Sequence, residues 1–87
     1  MPEKIAEDQI AERVIRCVVE TQHLAPERVT LDSTFQELDI DSLAGINIVF
    51  AVESEFNITV PDDAAQQVRT VRDLVDGVQK LVAGQNK

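Results

Sequence analysis

Two stretches of the chain, one near each end, place aliphatic residues at every third or fourth position, which is typical of amphipathic helices. The first predicts a helix from about Glu3 or Asp8 to Glu20. Its core-facing stripe consists of Ile10, Val14, Ile15, Val18 and Val19. The second predicts a helix that starts at a Thr-x-x-Asp capping box, formed by Thr70 and Asp73. Both helices are expected to pack on one core.

The middle of the chain contains the longest apolar run, from Leu43 to Val52, in which Asn47 is the single polar side chain. It predicts a helix from about Ser42 to Phe56, with Asp41 or Ser42 as its N-cap. Because apolar residues occur on all sides of this helix, one face must meet the core and another a partner. The inward face is predicted to hold Leu43, Ile46, Val49, Val52 and Phe56. The solvent face is then predicted to hold Ala44, Asn47, Phe50, Ala51 and Ser54.

The segments between the long helices are rich in turn-forming residues. A long connection runs from Thr21 to Asp41, and a loop of this length in a compact domain is usually functional or disordered. Its isolated apolar residues are expected to pin it to the helices: Leu24, Val29, Leu31, Phe35 and Leu38. Beyond Asn57 the chain is expected to be extended up to Pro61 and then to form a short helix, Asp62 to Gln67.

These elements predict an all-α fold, a four-helix bundle with a long loop after the first helix and a short third helix. We expect one domain over residues 1–87, with about 5–82 structured, 1–4 and 84–87 frayed, and the last helix ending at Gly84. A chain of 87 residues can bury one modest core but has no room for two lobes and a cleft. It is therefore not expected to be an enzyme on its own.

The acidic residues are concentrated in one part of the sequence. The formal net charge is −8, and the segment from Val29 to Val68 contains eight acids and no Lys or Arg. These acids are Asp32, Glu37, Asp39, Asp41, Glu53, Glu55, Asp62 and Asp63. The distribution predicts partners with basic surfaces and argues against binding to nucleic acid or to anionic membranes.

No segment has the features of a signal peptide or a membrane span, because the first residues are charged and no apolar run approaches twenty residues. The single cysteine, Cys17, lies on the core side of the first helix, which favours a small buried residue over a reactive thiol. One cysteine also fits a reducing compartment. We therefore expect a cytoplasmic protein that does not insert into membranes. We also expect a monomer.

Ser42 is the candidate for chemistry, because a helix N-terminus offers unpaired backbone N–H groups that favour a phosphate on its hydroxyl. An Asp-Ser pair before an apolar run is also an ordinary helix cap, so the surrounding sequence must decide. A serine hydrolase is excluded, since the only histidine, His23, lies in a loop and no Gly-x-Ser-x-Gly elbow is present. The acids before Ser42 start like a calcium loop, but Leu43 and Ala44 follow where an oxygen ligand and a glycine are needed. No metal site is predicted.

The order of these segments resembles that of an acyl carrier protein over nearly the whole chain, from about Ile5 to Val82. The matching residues are Asp41-Ser42-Leu43, Phe35 and Leu38 before them, and Glu55-Phe56 and Val60-Pro61-Asp62-Asp63 after them. The resemblance implies that Ser42 carries 4′-phosphopantetheine, added from coenzyme A by a phosphopantetheinyl transferase with magnesium. The thiol of this group would hold acyl intermediates of fatty-acid, polyketide or related biosynthesis as thioesters.

The resemblance also implies a pocket for the acyl chain and a surface for partner enzymes of the acyl-transferring or ketosynthase type. The implied pocket residues are Ile46, Val52, Val60, Ala65, Val68 and Gly77. The implied partner-binding residues are Asp39, Asp41, Leu43, Ala44, Asn47, Phe50 and Glu53. Among these, Phe50 is the exposed aromatic side chain expected to anchor the contact.

Several positions depart from the family pattern. Asp39 replaces a usual glycine in the turn before the serine. Ala44 and Asn47 replace acids on the exposed face of the second helix, and Gly77 replaces a bulky residue that faces the acyl cavity. These differences predict a specialised carrier with a roomier pocket and a dedicated set of partners. An aminoacyl or peptidyl carrier, and an acidic helical adaptor without a prosthetic group, remain as alternatives.

Overall fold

The computed structural model describes residues 7–85 and contains four α-helices in that range. They are α1 (Glu7–Gln22), α2 (Ser42–Phe56), α3 (Asp62–Gln66) and α4 (Val71–Gln85). The connection between α1 and α2 contains one 3₁₀ turn, Pro26–Arg28. The predicted all-α fold, with a long loop after the first helix and a short third helix, is confirmed.

Helix boundaries agree with the sequence prediction for α2 and differ by one or two residues elsewhere. α1 continues to Gln22 instead of stopping at Glu20, and α3 ends at Gln66. The prediction that α4 ends at Gly84 is wrong, because the helix continues to Gln85. No described glycine has a positive φ, so Gly84 keeps helical geometry instead of ending the helix. The alternative start at Glu3 and the predicted fraying of 1–4 lie outside the described residues. Of the segment 84–87 that was predicted to be frayed, residues 84 and 85 are helical, and 86–87 lie outside the described residues.

α1 is the central helix of the bundle, because it packs against both α2 and α4. The core is almost entirely aliphatic, in keeping with the 3% aromatic content of the sequence. Its largest fully buried side chains are Val14, Val18, Ile48, Val52, Val71 and Val78. Each such side chain contributes about 1.5–3 kcal/mol when it leaves water. Burial of aliphatic surface along α1 is therefore what holds the three long helices together.

The long connection lies against the bundle at the positions predicted for it. Val29 and Leu38 are buried, and the other three predicted positions are partly buried against the core. Ile40, which the sequence pattern did not single out, is buried as well. The apolar residues on both sides of the turn that precedes α2 therefore hold that turn in place.

The same connection supplies acceptors to the start of α4. The backbone N–H of Val71 donates to the Ser33 carbonyl at 3.0 Å, and the N–H of Arg72 donates to the Leu31 carbonyl at 2.9 Å. The first N–H groups of any α-helix lack partners inside the helix. Here the loop satisfies them, which ties the segment before Ser42 to the last helix.

Two reciprocal capping boxes fix this region. In the predicted box, the Asp73 N–H donates to Thr70 Oγ1 at 3.1 Å and the Thr70 N–H donates to Asp73 Oδ2 at 3.2 Å. The Arg69 N–H also donates to Asp73 and, with the Thr70 bonds, lowers the pKa of that carboxyl. A second box, absent from the sequence prediction, pairs Thr34 and Glu37 in the same way, at 2.7 and 3.0 Å.

Both α1 and α2 end in left-handed residues that allow the chain to turn. His23 follows α1 with φ 55°, and the next residue, Leu24, donates its N–H to the carbonyl five positions earlier at 3.1 Å. Asn57 follows α2 with φ 56°, and the Ile58 N–H donates to the Glu53 carbonyl at 3.1 Å. These are Schellman-type ends. They confirm Asn57 as the predicted stop of the second helix.

Candidate functional site

Ser42 is the first residue of α2, and Asp41 is its N-cap. Asp41 has extended backbone angles, φ −82° and ψ −178°, and its Oδ1 accepts the Ala44 N–H at 2.8 Å. Ser42 is exposed, and no hydrogen bond to its hydroxyl is present among the described residues. Of the two residues that the sequence allowed as the cap, Asp41 has that role. The Ser42 hydroxyl is therefore available to solvent and to an incoming enzyme.

The turn before Ser42 is tight although it has no glycine. Asp39 has a left-handed backbone, φ 60°, and its N–H donates to the Gln36 carbonyl at 3.1 Å. The next residue, Ile40, donates its N–H to the Phe35 carbonyl at 2.9 Å. An L-residue with a side chain rarely adopts this conformation, and Asp is one of the few that does so regularly. The acidic residue thus keeps the backbone geometry that a glycine would adopt.

The start of α2 has the features of an anion site for a group bonded to Ser42. The Ala44 and Gly45 N–H groups are taken by the Asp41 side chain and carbonyl. The N–H groups of Ser42 and Leu43, the first two of the helix, have no acceptor within the described part of the chain. Such groups, with the positive end of the helix dipole, stabilise a phosphate.

An open groove of about 810 Å³ is lined by Ser42 and by residues of the loop, α2, α3 and α4. Ten of its lining residues have apolar side chains: Phe35, Ile40, Ile46, Ile48, Val49, Phe50, Val60, Ala65, Val68 and Leu74. The groove is therefore suited to an apolar chain attached at Ser42. We refer to it as the Ser42 groove.

The structure distributes the six predicted pocket residues over three places. Four of them line the Ser42 groove: Ile46, Val60, Ala65 and Val68. Val52 is fully buried between the helices and lines neither this groove nor the second one described next. Gly77 lies in a second groove of about 400 Å³ between α3 and α4. Val60 and Val68 also line that second groove.

The predicted inward face of α2 is partly wrong. Leu43 and Ile46 are 70% and 49% exposed, whereas the buried stripe is formed by Ile48, Val52 and Phe56 at intervals of four residues. Ile48 was missed because a run that is apolar on all sides gives no clear helical phase. The burial pattern shows that the core stripe is rotated about the helix axis relative to the predicted one, with Val52 and Phe56 common to both.

The outer face of α2 is consequently apolar. Phe50, predicted to be exposed, is 62% exposed, and with Leu43 and Ile46 it makes up the exposed large hydrophobic side chains of the described chain. Asn47 is exposed on the same helix. Ala44, predicted to face solvent, is half-buried and packs against the core. We call Leu43, Ile46, Asn47 and Phe50 the outer face of α2.

Three of the acids near Ser42 have defined structural partners. Asp41 caps α2. Glu53 Oε2 accepts the Val60 N–H at 2.8 Å, so this predicted partner residue also holds the α2–α3 connection. Glu37 belongs to the capping box with Thr34. Asp39 is exposed at the rim of the site.

Two further acids are neutralised by bases from outside the acidic segment. Glu55 binds Arg13 Nε at 2.7 Å, and the Arg13 guanidinium carbon lies 4.9 Å from the centre of the Phe56 ring. Asp32 binds Arg72 at 2.8 Å. The uncompensated charge is therefore concentrated on the six remaining acids of that segment. These are Glu37, Asp39, Asp41, Glu53, Asp62 and Asp63.

Other candidate groups lie away from this site or lack the geometry for chemistry. Cys17 is buried, and burial raises the pKa of its thiol, which favours the unreactive protonated form. His23 ends α1 and is exposed. Over the described ranges, no group of His, Cys, Asp and Glu side chains is arranged to hold a metal ion. None of the helices between residues 7 and 85 has the length and hydropathy needed to cross a bilayer.

Comparisons with known proteins show what this chain is similar to. Residues 12–78 match the model of the family described as the phosphopantetheine attachment site. The acyl carrier protein of Phenylobacterium zucineum (strain HLK1) is 42% identical over 72 residues, covering 82% of this chain and 91% of that protein. The acyl carrier protein of Caulobacter vibrioides (strain NA1000 / CB15N) is 41% identical over 75 residues, covering 85% of this chain and 96% of that protein.

Solved structures show the same architecture. The acetyl actinorhodin acyl carrier protein of Streptomyces coelicolor superimposes with a TM-score of 0.71 at 28% identity, covering 86% of this chain and 92% of that one. The hexanoyl form from the actinorhodin polyketide synthase gives a TM-score of 0.69 at 27% identity, covering 97% and 98%. The likeness includes nearly the full length of each protein.

Proposed function

The chain belongs to the acyl carrier protein family, and from this premise we propose that Ser42 is the residue to which its 4′-phosphopantetheine group is attached. The observation that carries the assignment is the division of roles at the start of α2. Asp41 supplies the cap, and the exposed Ser42 hydroxyl makes no hydrogen bond among the described residues. The open N–H groups of Ser42 and Leu43 favour a phosphate at this position.

The prosthetic group supplies a terminal thiol that holds the cargo as a thioester, and the protein supplies position and shelter. The Ser42 groove offers an apolar lining that starts beside the attachment point. Apolar side chains such as Ile46 and Val60 exclude water from a chain that lies against them. Members of this family carry acyl groups between enzymes and do not catalyse the reactions themselves. In this proposal the fold protects the cargo between partners.

Intact mass spectrometry tests the attachment site. The protein is incubated with coenzyme A, magnesium and a broad-specificity phosphopantetheinyl transferase, and a mass gain of one phosphopantetheine is expected. Ser42→Ala should abolish the gain, whereas the matched control Ser54→Ala, exposed at the other end of α2, should retain it. No gain in the wild type, or a gain that survives Ser42→Ala, contradicts the assignment.

The cargo we propose is an acyl chain of fatty-acid or polyketide type. Support comes from the apolar lining of the groove and from the similar structures, whose cargoes are acetyl, hexanoyl and 3,7-dioxo-octyl groups. An aminoacyl or peptidyl cargo is the alternative. The two are separated by offering the holo protein to an acyl transferase and to an amino-acid-activating enzyme and measuring which one loads it.

We propose further that partner enzymes contact the outer face of α2 and that this protein is a specialised carrier. Proteins of this family interact with a phosphopantetheinyl transferase and with biosynthetic enzymes. Here the centre of the proposed contact is apolar, while Asp39 and Asp41 lie at one end of it. Acidic groups at a rim steer a basic partner, and a large apolar side chain supplies the binding energy. A partner with an apolar socket and a basic border fits this surface.

Two substitutions test the proposed contact. Phe50→Ala should weaken transfer to a dedicated partner by about 1–3 kcal/mol in kcat/KM, because exposed aromatic anchors are typical hot spots. Asn47→Glu should improve elongation by a general fatty-acid ketosynthase, which otherwise uses the wild type poorly. Ala44 is not suitable for such a change, because it packs against the core. A wild type that already performs like a housekeeping carrier, with no response to either change, contradicts the specialised role.

A further inference from the structure

The turn that leads to Ser42 is held by few backbone hydrogen bonds of its own. The chain between Thr34 and Ile40 forms turns and no regular helix. Within it, the Leu38 N–H donates to the Thr34 carbonyl at 3.3 Å, and the Ile40 N–H donates to the Phe35 carbonyl at 2.9 Å. A single turn fixes many backbone angles for each hydrogen bond that it makes, so it is unstable in isolation. Its conformation therefore depends on bonds from outside the backbone of the turn.

Backbone strain at Asp39 adds to this dependence. Asp39 has φ 60°, a left-handed conformation that is costly for a residue with a side chain. Other conformations of the turn, in which Asp39 is relaxed, are correspondingly closer in free energy. Because Asp39 lies only three residues before Ser42, such a rearrangement would change the direction in which the Ser42 hydroxyl points.

The capping box of Thr34 and Glu37 closes the turn at its start. Glu37 Oε1 accepts the Thr34 N–H at 2.7 Å, and the Glu37 N–H donates to Thr34 Oγ1 at 3.0 Å. The next N–H, that of Phe35, donates to the Arg69 carbonyl at 3.0 Å and ties the turn to the segment before α4. The buried side chain of Ile40 holds the other end. The box thus completes the fixation of the turn at both ends.

Glu37 has no second partner among the described residues that would give it another structural role. It is exposed, and neither of the two ion pairs of the described chain includes it. A capping box normally satisfies the first N–H groups of the helix that follows it. Here no α-helix begins until Ser42, so the bonds of this box serve the turn alone.

We infer that Glu37 is a positioning residue for the attachment of phosphopantetheine: through its box with Thr34 it holds the turn in the conformation that presents the Ser42 hydroxyl to the transferase. This inference rests on the proposed function. In the transfer, the Ser42 oxygen forms a bond to the phosphorus that bears the pantetheine of coenzyme A. The pyrophosphate P–O bond breaks, adenosine 3′,5′-bisphosphate leaves, and the hydroxyl proton passes to a base of the transferase. Glu37 forms none of these bonds and acts only through the position of Ser42.

Transferase kinetics test the inference. Apo protein is incubated with coenzyme A, magnesium and a broad-specificity phosphopantetheinyl transferase, and initial rates of the mass gain are measured over a range of carrier concentrations. Glu37→Ala should lower kcat by about tenfold or more with little change in KM, because the outer face of α2 is unchanged while the serine is misplaced. Glu37→Gln removes the charge but keeps an oxygen that accepts the Thr34 N–H, and it should restore most of the rate.

A second pair of variants removes the same box from its other side. Thr34→Val loses the acceptor of the Glu37 N–H but keeps a β-branched side chain, and it should lower kcat, whereas Thr34→Ser keeps the hydroxyl and should restore it. This pair decides the question if circular dichroism shows that Glu37→Ala is unfolded. Two controls should retain the kcat of the wild type. Gln36→Ala changes an exposed side chain of the same turn, and Asp73→Ala removes the capping box of α4.

The outcomes separate this inference from the proposed function. A wild type that acquires no phosphopantetheine overturns both. A kcat of Glu37→Ala equal to that of the wild type, or a change in KM alone, overturns the positioning role and leaves attachment at Ser42 intact. A Glu37→Gln variant as slow as Glu37→Ala also overturns it and assigns the effect to charge, and equal losses in Asp73→Ala assign the effect to general stability. A loss of kcat that is confined to Glu37→Ala and Thr34→Val supports the inference.

Discussion

Non-glycine residues with left-handed backbones mark three chain reversals in the described structure: His23, Asp39 and Asn57. Two of them end helices, and Asp39 forms the turn that leads to Ser42. Side chains are disfavoured in this region because Cβ approaches the backbone, although Asp and Asn tolerate it better than other residues. The sequence at Asp39 therefore combines a backbone that suits glycine with a negative charge at the rim of the site.

We expect the substitutions at Asp39 to rank in stability by their tolerance of a left-handed backbone. Asp39→Gly should raise the free energy of unfolding by about 0.5–1 kcal/mol, and Asp39→Ala should lower it by about 1 kcal/mol. Asp39→Asn, which removes the charge and keeps the tolerance, should change it by less than about 0.5 kcal/mol. Urea unfolding monitored by circular dichroism measures each value. A glycine variant no more stable than the wild type would show that the turn carries no strain.

Residue-level predictions succeeded where a polar face defined the phase of a helix. Val14 and Val18 of the predicted α1 stripe are fully buried, and so are Val71 and Val78, which follow the predicted capping box of α4 at helical spacing. In α2 the prediction that Leu43 faces the core was wrong. An apolar run has no polar face to mark the solvent side, and packing against α1 decides which side of the helix is buried. The Thr34 and Glu37 box was readable, because it has the same Thr-x-x-acid spacing as the box that was predicted.

At the scale of elements, two neighbouring residues at the start of α2 have different roles: Asp41 caps the helix, and Ser42 is the candidate for attachment. The Asp41 carboxylate accepts a backbone N–H that would otherwise lack a partner, while the Ser42 hydroxyl makes no such bond among the described residues. The sequence alone left both as possible caps. The helix could begin after either of these two neighbouring polar residues, and the sequence does not show which of them has the extended backbone of an N-cap.

The two residues should therefore respond differently to alanine. Asp41→Ala should destabilise the fold by about 1 kcal/mol through loss of the cap, whereas Ser42→Ala should change the free energy of unfolding by less than about 0.5 kcal/mol. Thermal and urea unfolding of the apo protein measure both. Asp41→Asn retains a capping oxygen and serves as the control. Equal losses at the two positions would mean that Ser42 shares the capping role and that its variant does not report on attachment alone.

The positions of the grooves could not be predicted from the sequence of single elements. Ile46, Val60, Ala65 and Val68 were placed in the pocket by resemblance to a family, and they converge on the Ser42 groove. Gly77 was placed in the same pocket but lines the second groove, between α3 and α4. The position of a cavity depends on how loops and helices meet in three dimensions, and periodicity within one helix carries no information about it.

At the scale of the whole molecule, the charge distribution sets how stability depends on salt. The net charge is −8, and six acids around the site have no ion-pair partner among the described residues. The molecule measures 39 × 27 × 19 Å. At about 0.01 M ionic strength the Debye length is about 30 Å, so these acids repel each other across the protein, whereas at about 0.1 M it is about 10 Å. Self-repulsion should therefore weaken the fold mainly at low salt.

We expect the melting temperature to rise as sodium chloride increases from about 10 to 100 mM, and to rise similarly with magnesium chloride at equal ionic strength if screening is the cause. The double variant Asp39→Asn and Asp63→Asn should reduce the dependence on salt, because it removes two acids of the uncompensated segment. Asp76→Asn is the matched control, since it removes an exposed acid of α4, where Arg72 and Lys80 supply positive charge, and it should leave the dependence unchanged.

A larger effect of magnesium than of sodium at equal ionic strength would indicate ion binding by the acids instead of screening. A melting temperature that changes with neither salt would show that the six acids are too far apart, or too well hydrated, to destabilise the bundle.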